Sequence, residues 1–77
     1  MNKQRREAII NLETKLEDIK FEILGLQEEE QEYYDNMPEP FQDSDKGEAA
    51  QTAIDCLESA VNSIIFILDD LAGARNV

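Results

Sequence analysis

Two apolar stripes with seven-residue spacing run along this 77-residue chain, and a short proline-containing segment separates them. The first stripe is Ile9, Leu12, Leu16, Ile19, Ile23, Leu26, Tyr33 and Met37, and the second is Ala50, Ile54, Leu57, Val61, Ile64, Leu68 and Leu71. Steps of three and four residues place each stripe on one face of an α-helix. Two such helices joined by a short loop bury these faces by folding back on each other. The sequence therefore predicts an all-α fold, an antiparallel two-helix hairpin.

The predicted hairpin is a single domain over residues 1–77. Its parts are helix 1 at about 3–36, a loop at about 37–44 and helix 2 at about 45–73. Pro38 and Pro40 are expected to stop helix 1, because proline fits poorly inside a helix. Ser44 or Asp45 caps the start of helix 2, and Gly73 marks its end.

Each helix carries apolar residues that a single seam between two helices does not need. These surplus residues are Ile10, Phe21 and Leu24 on helix 1 and Ile65 and Phe66 on helix 2. So short a chain buries little surface alone, and its one cysteine excludes an internal disulfide. The five residues are therefore predicted to form the interface of a homo-oligomeric helical bundle.

Small side chains form a further line on helix 2, next to the main stripe. The line consists of Ala49, Ala53, Cys56, Ala60 and Ser63. Small residues let helix axes approach closely. Cys56 is predicted to be a buried, inert member of this line, because its sequence neighbours Asp55 and Glu58 are acidic and would not activate a thiol.

The formal net charge of −11 excludes some classes of partner and favours others. It argues against direct binding to nucleic acid or to an anionic membrane surface, both of which attract basic patches. It fits a basic protein partner or an acidic DNA mimic, although solubility alone also explains an acidic surface. No apolar leader is seen, and the longest apolar run, Ile64 to Leu68, is too short to span a bilayer. A cytoplasmic location is expected.

Charge is also distributed unevenly along the predicted rod. Acidic residues crowd the loop end, whereas Lys3, Arg5, Arg6 and Arg75 lie at the other end. Parallel neighbours in a bundle would bring like charges together. Antiparallel neighbours, with Arg5 and Arg6 beside the segment 28–35 of another hairpin, are therefore predicted.

The sequence offers no recognisable catalytic or metal-binding set. It has no histidine, no nucleophile with a base and no phosphate-binding glycine loop. Asp43 and Asp45 resemble the start of a calcium loop, but glycine comes one position early and Ile54 stands where the last ligand should be. The prediction is a non-enzymatic protein without a metal or cofactor.

The segment 33–48 is the best candidate for a recognition surface, because it mixes aromatic and hydrogen-bonding side chains. Tyr33 and Met37 are predicted to belong to the core. The residues expected to contact a partner are Tyr34, Asn36, Phe41, Gln42 and Lys46, together with the acidic Glu28, Glu29 and Glu32. The alternative is a turn that only joins the helices.

This segment also carries a resemblance, over residues 34–60. Its sequence, Tyr-Asp-Asn-Met-Pro-Glu, then Gln-x-Ser-x-x-Gly-Glu and Ala-Ile-Asp-x-Leu-Glu-x-Ala, resembles a group of short acidic helical proteins encoded by phages and prophages of Gram-positive bacteria. The group has no assigned biochemical function, so the resemblance transfers no functional residue and implies only a mobile-element origin.

The leading functional hypothesis is an oligomeric binding protein that antagonises a host process such as antiviral defence. It would block a basic protein surface or sequester a small, nucleotide-like anionic ligand between subunits. The alternatives are a structural or assembly protein without a ligand and an acidic DNA mimic.

Overall fold

A computed structural model describes residues 1–77 and is 88% helical, with no strand. Its elements are α1 (Lys3–Asp35), α2 (Glu39–Gln42) and α3 (Asp45–Arg75). The prediction of an all-helical chain is confirmed. The segment expected to be a loop contains the one-turn helix α2, which has Pro38 at its N-cap and Pro40 in its first turn. Proline suits this place because its fixed φ fits a first helical turn and its missing N–H is not needed there.

The two long helices form an extended pair. The molecule measures 58 × 15 × 12 Å, and its radius of gyration is 17.4 Å, whereas a compact domain of this length would have about 11.5 Å. At one end of the pair, the Arg6 Nε donates to the Arg75 carbonyl oxygen at 3.2 Å, and the Met1 amino group donates to the Val77 carbonyl oxygen at 2.9 Å. The first residues of α1 thus contact the last residues of α3, so the two helices run in opposite directions.

The α3 side of the seam follows the sequence pattern. The residues that α3 places in it are the buried Gly47, Ala50, Ile54, Val61 and Ile64 and the half-buried Leu57, Leu68 and Leu71. The steps between them alternate between three and four residues, as a helix–helix seam requires. The second stripe was therefore placed correctly, and Gly47 extends it toward the loop.

The α1 side of the seam differs from the prediction. Its half-buried positions at alternating four- and three-residue steps are Ile9, Glu13, Leu16, Lys20, Ile23, Gln27, Glu30, Tyr34 and Met37. Four members of the predicted stripe are instead exposed, namely Leu12, Ile19, Leu26 and Tyr33. At every second seam position, the half-buried residue is the one that follows the predicted residue in the sequence. The face of α1 that contacts α3 therefore includes residues 13, 20, 27 and 34 in place of 12, 19, 26 and 33.

Polar contacts and long side chains explain why this face of α1 accepts α3. The Arg75 Nε donates to the Glu13 Oε1 at 2.6 Å, near one end of the seam. Near the other end, the Gln42 Nε2 donates to the Tyr34 carbonyl oxygen at 3.2 Å. Between them, Lys20 lies half-buried, and its ammonium pairs with the Glu17 carboxylate of the same helix at 2.9 Å. A long side chain of this kind can occupy a seam position because its charged end is satisfied at the rim.

Gly47 lets the chain make a tight approach between α2 and α3. A Cβ atom on this residue would lie 1.9 Å from the Gln42 carbonyl oxygen, inside any allowed contact. The Gln42 backbone is held in place, because its N–H donates to the Pro38 carbonyl oxygen at 3.2 Å. Only glycine therefore fits position 47 without movement of the backbone.

The helix α3 also meets, by length and composition, the criterion for a membrane-crossing segment. The sequence reasoning considered only the uninterrupted apolar run 64–68, whereas an 18-residue window within α3 contains few enough charges to pass. Only 17% of that window is buried inside the pair. The core helix of a soluble protein passes the same test, so this observation alone is weak evidence for a membrane location.

Candidate functional site

The loop end of the pair concentrates the negative charge of the chain. Residues 28–48 contain nine acidic side chains and one basic one, Lys46, which leaves −8 of the total of −11. The structure has two ion pairs, Lys20–Glu17 at 2.9 Å and Arg75–Glu13 at 2.6 Å, and both lie outside this segment. The acidic field at the loop end is therefore not neutralised within the chain.

Three of the predicted contact residues hold the turn together. Tyr34 is half-buried in the seam, and its backbone carbonyl oxygen accepts the hydrogen bond from the half-buried Gln42 side chain. Asn36 is exposed and is the C-cap of α1, where its N–H donates to the Glu32 carbonyl oxygen at 3.0 Å. These positions build the end of α1 and anchor α2 to it.

The two neighbouring tyrosines have exchanged their expected environments. Tyr33, predicted to lie in the core, is 52% exposed, and that placement is wrong. Tyr34, predicted to face a partner, contributes to the seam instead. Successive residues of a helix point about 100° apart, so the one-residue offset of the seam moves one ring out and the other in.

The other predicted contact residues lie on an open surface. Phe41 projects from α2 with 55% of its surface exposed. The exposed polar members are Lys46 and the three acidic residues Glu28, Glu29 and Glu32. An aromatic ring thus stands beside an acidic surface with a single lysine. Such a surface can pack apolar groups and attract cationic side chains of a partner. The chain on its own encloses no pocket.

The residues predicted to form an oligomer interface are mostly accessible. Phe66 is 72% and Phe21 is 64% exposed, and Ile10 and Ile65 are exposed as well. Leu24 is half-buried. The Lys20 Nζ lies 5.3 Å from the centre of the Phe21 ring, within the range of a cation–π contact.

Cys56 is exposed, so its predicted burial is wrong. The small-residue line to which it belongs is split by the seam: Ala53 and Ala60 are half-buried, whereas Ala49 and Ser63 are exposed with Cys56. The predicted close approach of the helices therefore involves only Ala53 and Ala60 of this line. The exposed part faces away from α1.

Sequence reasoning missed a second apolar surface, which we call the open face. It comprises Leu12, Ile19, Leu26 and Tyr33 of α1 and Ala53, Ala60, Ile67 and Ala74 of α3. In both helices, each member comes one residue before a seam residue or, in the case of Ala74, before Arg75, which pairs with Glu13 across the seam. A step of one residue toward the N-terminus rotates the side-chain direction by about 100° on each helix. Because both helices are right-handed and they run in opposite directions, both rotations lead to the same side of the pair, and the two lines lie side by side. The seven-residue repeat of these α1 residues is visible in the sequence, but hydrophobicity alone places the same residues in the seam.

These features define a helical protein with an acidic end and two uncovered apolar surfaces. No protein-family model matches the chain, and neither the curated proteins nor the solved structures include one with significant similarity to it.

Proposed function

We propose that the helix pair is a helical hairpin that assembles into an oligomeric bundle and acts as a non-enzymatic binding protein. One observation supports this above all: twelve large hydrophobic side chains are exposed, whereas four hydrophobic residues are buried. Small soluble monomers rarely leave so much of their apolar surface in water. Association with further copies covers such faces without a disulfide or a metal.

The binding role falls to the loop end. This end carries the uncompensated charge of −8 and the exposed ring of Phe41, while the apolar surfaces along the rod are used for assembly. The partner best matched to this charge is a basic protein surface. A small anionic ligand held between subunits is the less favoured mode, because the same charge repels it unless Lys46 or arginines of a neighbouring copy compensate.

The resemblance over residues 34–60 adds a biological setting to this proposal. It supports an origin in a phage or prophage, and from that origin we propose activity in the cytoplasm of the host and antagonism of a host process such as antiviral defence. A structural or assembly protein without a ligand is the second candidate, and the turn-holding contact between Gln42 and Tyr34 favours it. An acidic DNA mimic is a variant of the first candidate, in which the basic surface belongs to a nucleic-acid-binding protein.

Two measurements test the proposal. Sedimentation of the wild-type chain should give a mass that is a multiple of 8.8 kDa, and a well-folded monomer at micromolar concentration would contradict the assembly. Native mass measurement after incubation with lysate of a Gram-positive host should then show a retained protein partner. A retained small ligand would favour the second binding mode. If the chain retains neither a protein nor a ligand, the structural candidate is favoured.

Charge variants separate the binding modes. Changing Glu28, Glu29 and Glu32 together to glutamine should weaken capture of a basic partner and reduce its salt dependence, whereas binding of an anionic ligand should be unchanged or stronger. The matched control changes Asp69 and Asp70 to asparagine, because these acids lie near the opposite end of the rod. Equal effects of both variants would refute the placement of the site at the loop end.

A further inference from the structure

We infer that the open face is the docking surface for a second copy of this chain, and that the two copies lie side by side in opposite orientations. The inference rests on the proposed self-assembly and adds to it the face that is used and the direction of the partner. In this arrangement α1 packs along α1 of the second copy, and α3 packs along α3 of the second copy. The product is a four-helix bundle with twofold symmetry.

The spacing of the α1 residues on the open face is that of a helix–helix seam. Leu12, Ile19, Leu26 and Tyr33 recur every seven residues and are each about half exposed, at 45–54%. A line of large side chains with this period turns by only about 20° per repeat around a helix and can therefore meet a matching line on another helix. The outward patch with Phe21 and Phe66 has no such repeat, since α1 places Glu28 and α3 places Ser59 one heptad away.

The α3 half of the open face is suited to a close approach. Three of its four members are alanines, Ala53, Ala60 and Ala74, and only Ile67 is large. Neighbouring positions on the same side are also small, with Cys56 and Ser63 exposed. Helices with small residues at their contact approach toward the short end of the usual 8–10 Å range. Two copies of α3 therefore pack closely while the larger α1 side chains interlock beside them.

Charge selects the orientation of the second copy. Docking with both loop ends on the same side would place two segments of charge −8 next to each other. The opposite orientation moves each acidic end to the Arg5 and Arg6 end of its neighbour. When Leu12 is level with Tyr33 of the second copy, Lys15 comes level with residues 29–30 of that copy, where both side chains are acidic. Lys15 and Glu29 are exposed and flank the open face, so each copy contributes both members of such a pair.

The side of the rod that carries the open face is as large as a standard interface. The whole side of the rod is 58 Å long and 15 Å wide, which gives a footprint of roughly 870 Å², close to the approximately 800 Å² that each partner contributes to a standard protein–protein interface. The open face takes up about 32 Å of this length, from Leu12 to Tyr33 at 1.5 Å per residue. No charged residue interrupts the apolar line between Leu12 and Tyr33 on α1 or between Ala53 and Ala74 on α3 at the seven-residue positions. The open face therefore supplies a continuous apolar centre to an interface of standard size, and the charged residues beside it set the orientation of the second copy.

Substitution on two different apolar surfaces tests the face. Leu26→Glu should reduce the wild-type oligomer to a helical monomer in sedimentation equilibrium, with an apparent dissociation constant at least 100-fold weaker. Phe66→Glu is the matched control, because Phe66 is more exposed but lies outside the open face; this variant should remain at least dimeric. Circular dichroism on both variants reports whether the helices persist.

The possible results separate this inference from the proposed function. A monomeric wild type would overturn the proposed assembly itself. An oligomeric wild type with a monomeric Phe66→Glu variant and an unchanged Leu26→Glu variant would overturn the open face and leave assembly intact. Binding of wild-type monomer to phosphatidylcholine vesicles, abolished by Leu26→Glu, would assign the face to lipid and refute a second copy as its occupant.

Disulfide trapping tests the orientation and does not depend on the Leu26 variant. In a Cys56→Ser background, a mixture of Lys15→Cys and Glu29→Cys chains should form a mixed cross-linked dimer, while neither variant alone cross-links efficiently. Glu39→Cys chains should also fail to cross-link with one another, because opposite orientation puts the two loop ends far apart. Efficient Glu39→Cys cross-linking without the mixed product would show that the copies lie parallel, which overturns the inference.

Discussion

Replacement of Gly47 by alanine should destabilise the chain, although alanine is the better helix former. The added Cβ would stand 1.9 Å from the Gln42 carbonyl oxygen and 2.4 Å from the Gln42 carbonyl carbon. Ordinary contact begins near 3.4 Å, so the backbone of α2 has to move by roughly 1.5 Å. Such a movement strains the hydrogen bonds that Gln42 makes to Pro38 and Tyr34.

The size of the effect follows from two opposing contributions. Overpacking against fixed atoms costs about 1–3 kcal/mol, whereas the change from glycine to alanine gains at most about 1 kcal/mol inside a helix. Gly47 is in the first turn of α3, so this gain is smaller there. The net loss in the free energy of unfolding should be about 1–2 kcal/mol, which lowers the Tm by about 4–8 °C per kcal/mol in a chain of this size.

Gly25 supplies the matched control for this measurement. It lies within α1, and a Cβ atom there would meet nothing within 4 Å. Gly25→Ala should therefore raise the free energy of unfolding by up to about 1 kcal/mol. Both variants are compared by urea and thermal unfolding at one protein concentration, since the stability of an oligomer depends on concentration. A Gly47→Ala chain as stable as Gly25→Ala would refute the close approach of α2 to α3.

Further predictions concern the seam and the turn. Arg75→Ala removes the 2.6 Å ion pair with the partly buried Glu13. The free energy of unfolding should therefore fall by up to about 1 kcal/mol at low salt and by less at high salt. A loss that does not depend on salt concentration would assign the effect to packing. Tyr34→Ala should cost about 1–2 kcal/mol, because Tyr34 lies in the seam, whereas Phe41→Ala should change stability by less than about 0.5 kcal/mol. Equal urea midpoints for these two variants would contradict the assigned burial of the two rings.

The sequence predicted the α3 half of the seam and misplaced half of the α1 side, and the contrast has a physical cause. On α3 the line between Ala50 and Leu71 holds most of the large aliphatic residues, and the line beside it consists mainly of alanines, so one face is favoured for the seam. On α1 the residues 9, 16 and 23 are compatible with two adjacent faces, one completed by Leu12 and Ile19 and the other by Glu13 and Lys20. Hydrophobicity alone favours the first. The contacts at the two ends, from Arg75 and Gln42, exist only after the chain has folded.

At the loop end, too, the sequence predicts the general character of the surface but not the role of each residue. Its charge is a property of composition, so its acidic character was predictable. The roles of Tyr33 and Tyr34 were not, because a rotation of one residue about the axis of α1 exchanges them. The sequence singles out Gly47 only as the misplaced glycine of a calcium-like loop, since nothing in the local sequence reveals that the Gln42 backbone approaches it.

The unequal burial of the two long helices affects how each tolerates change in sequence. All five buried residues belong to α3, and α1 has none. A substitution at Ile54 or Val61 creates a cavity or a clash that neighbouring atoms must absorb, whereas a position that is only half-buried, such as Leu16, leaves more room for another long side chain. Over evolutionary time, α3 should therefore diverge slowly along its seam, and α1 should exchange one long aliphatic side chain for another far more freely.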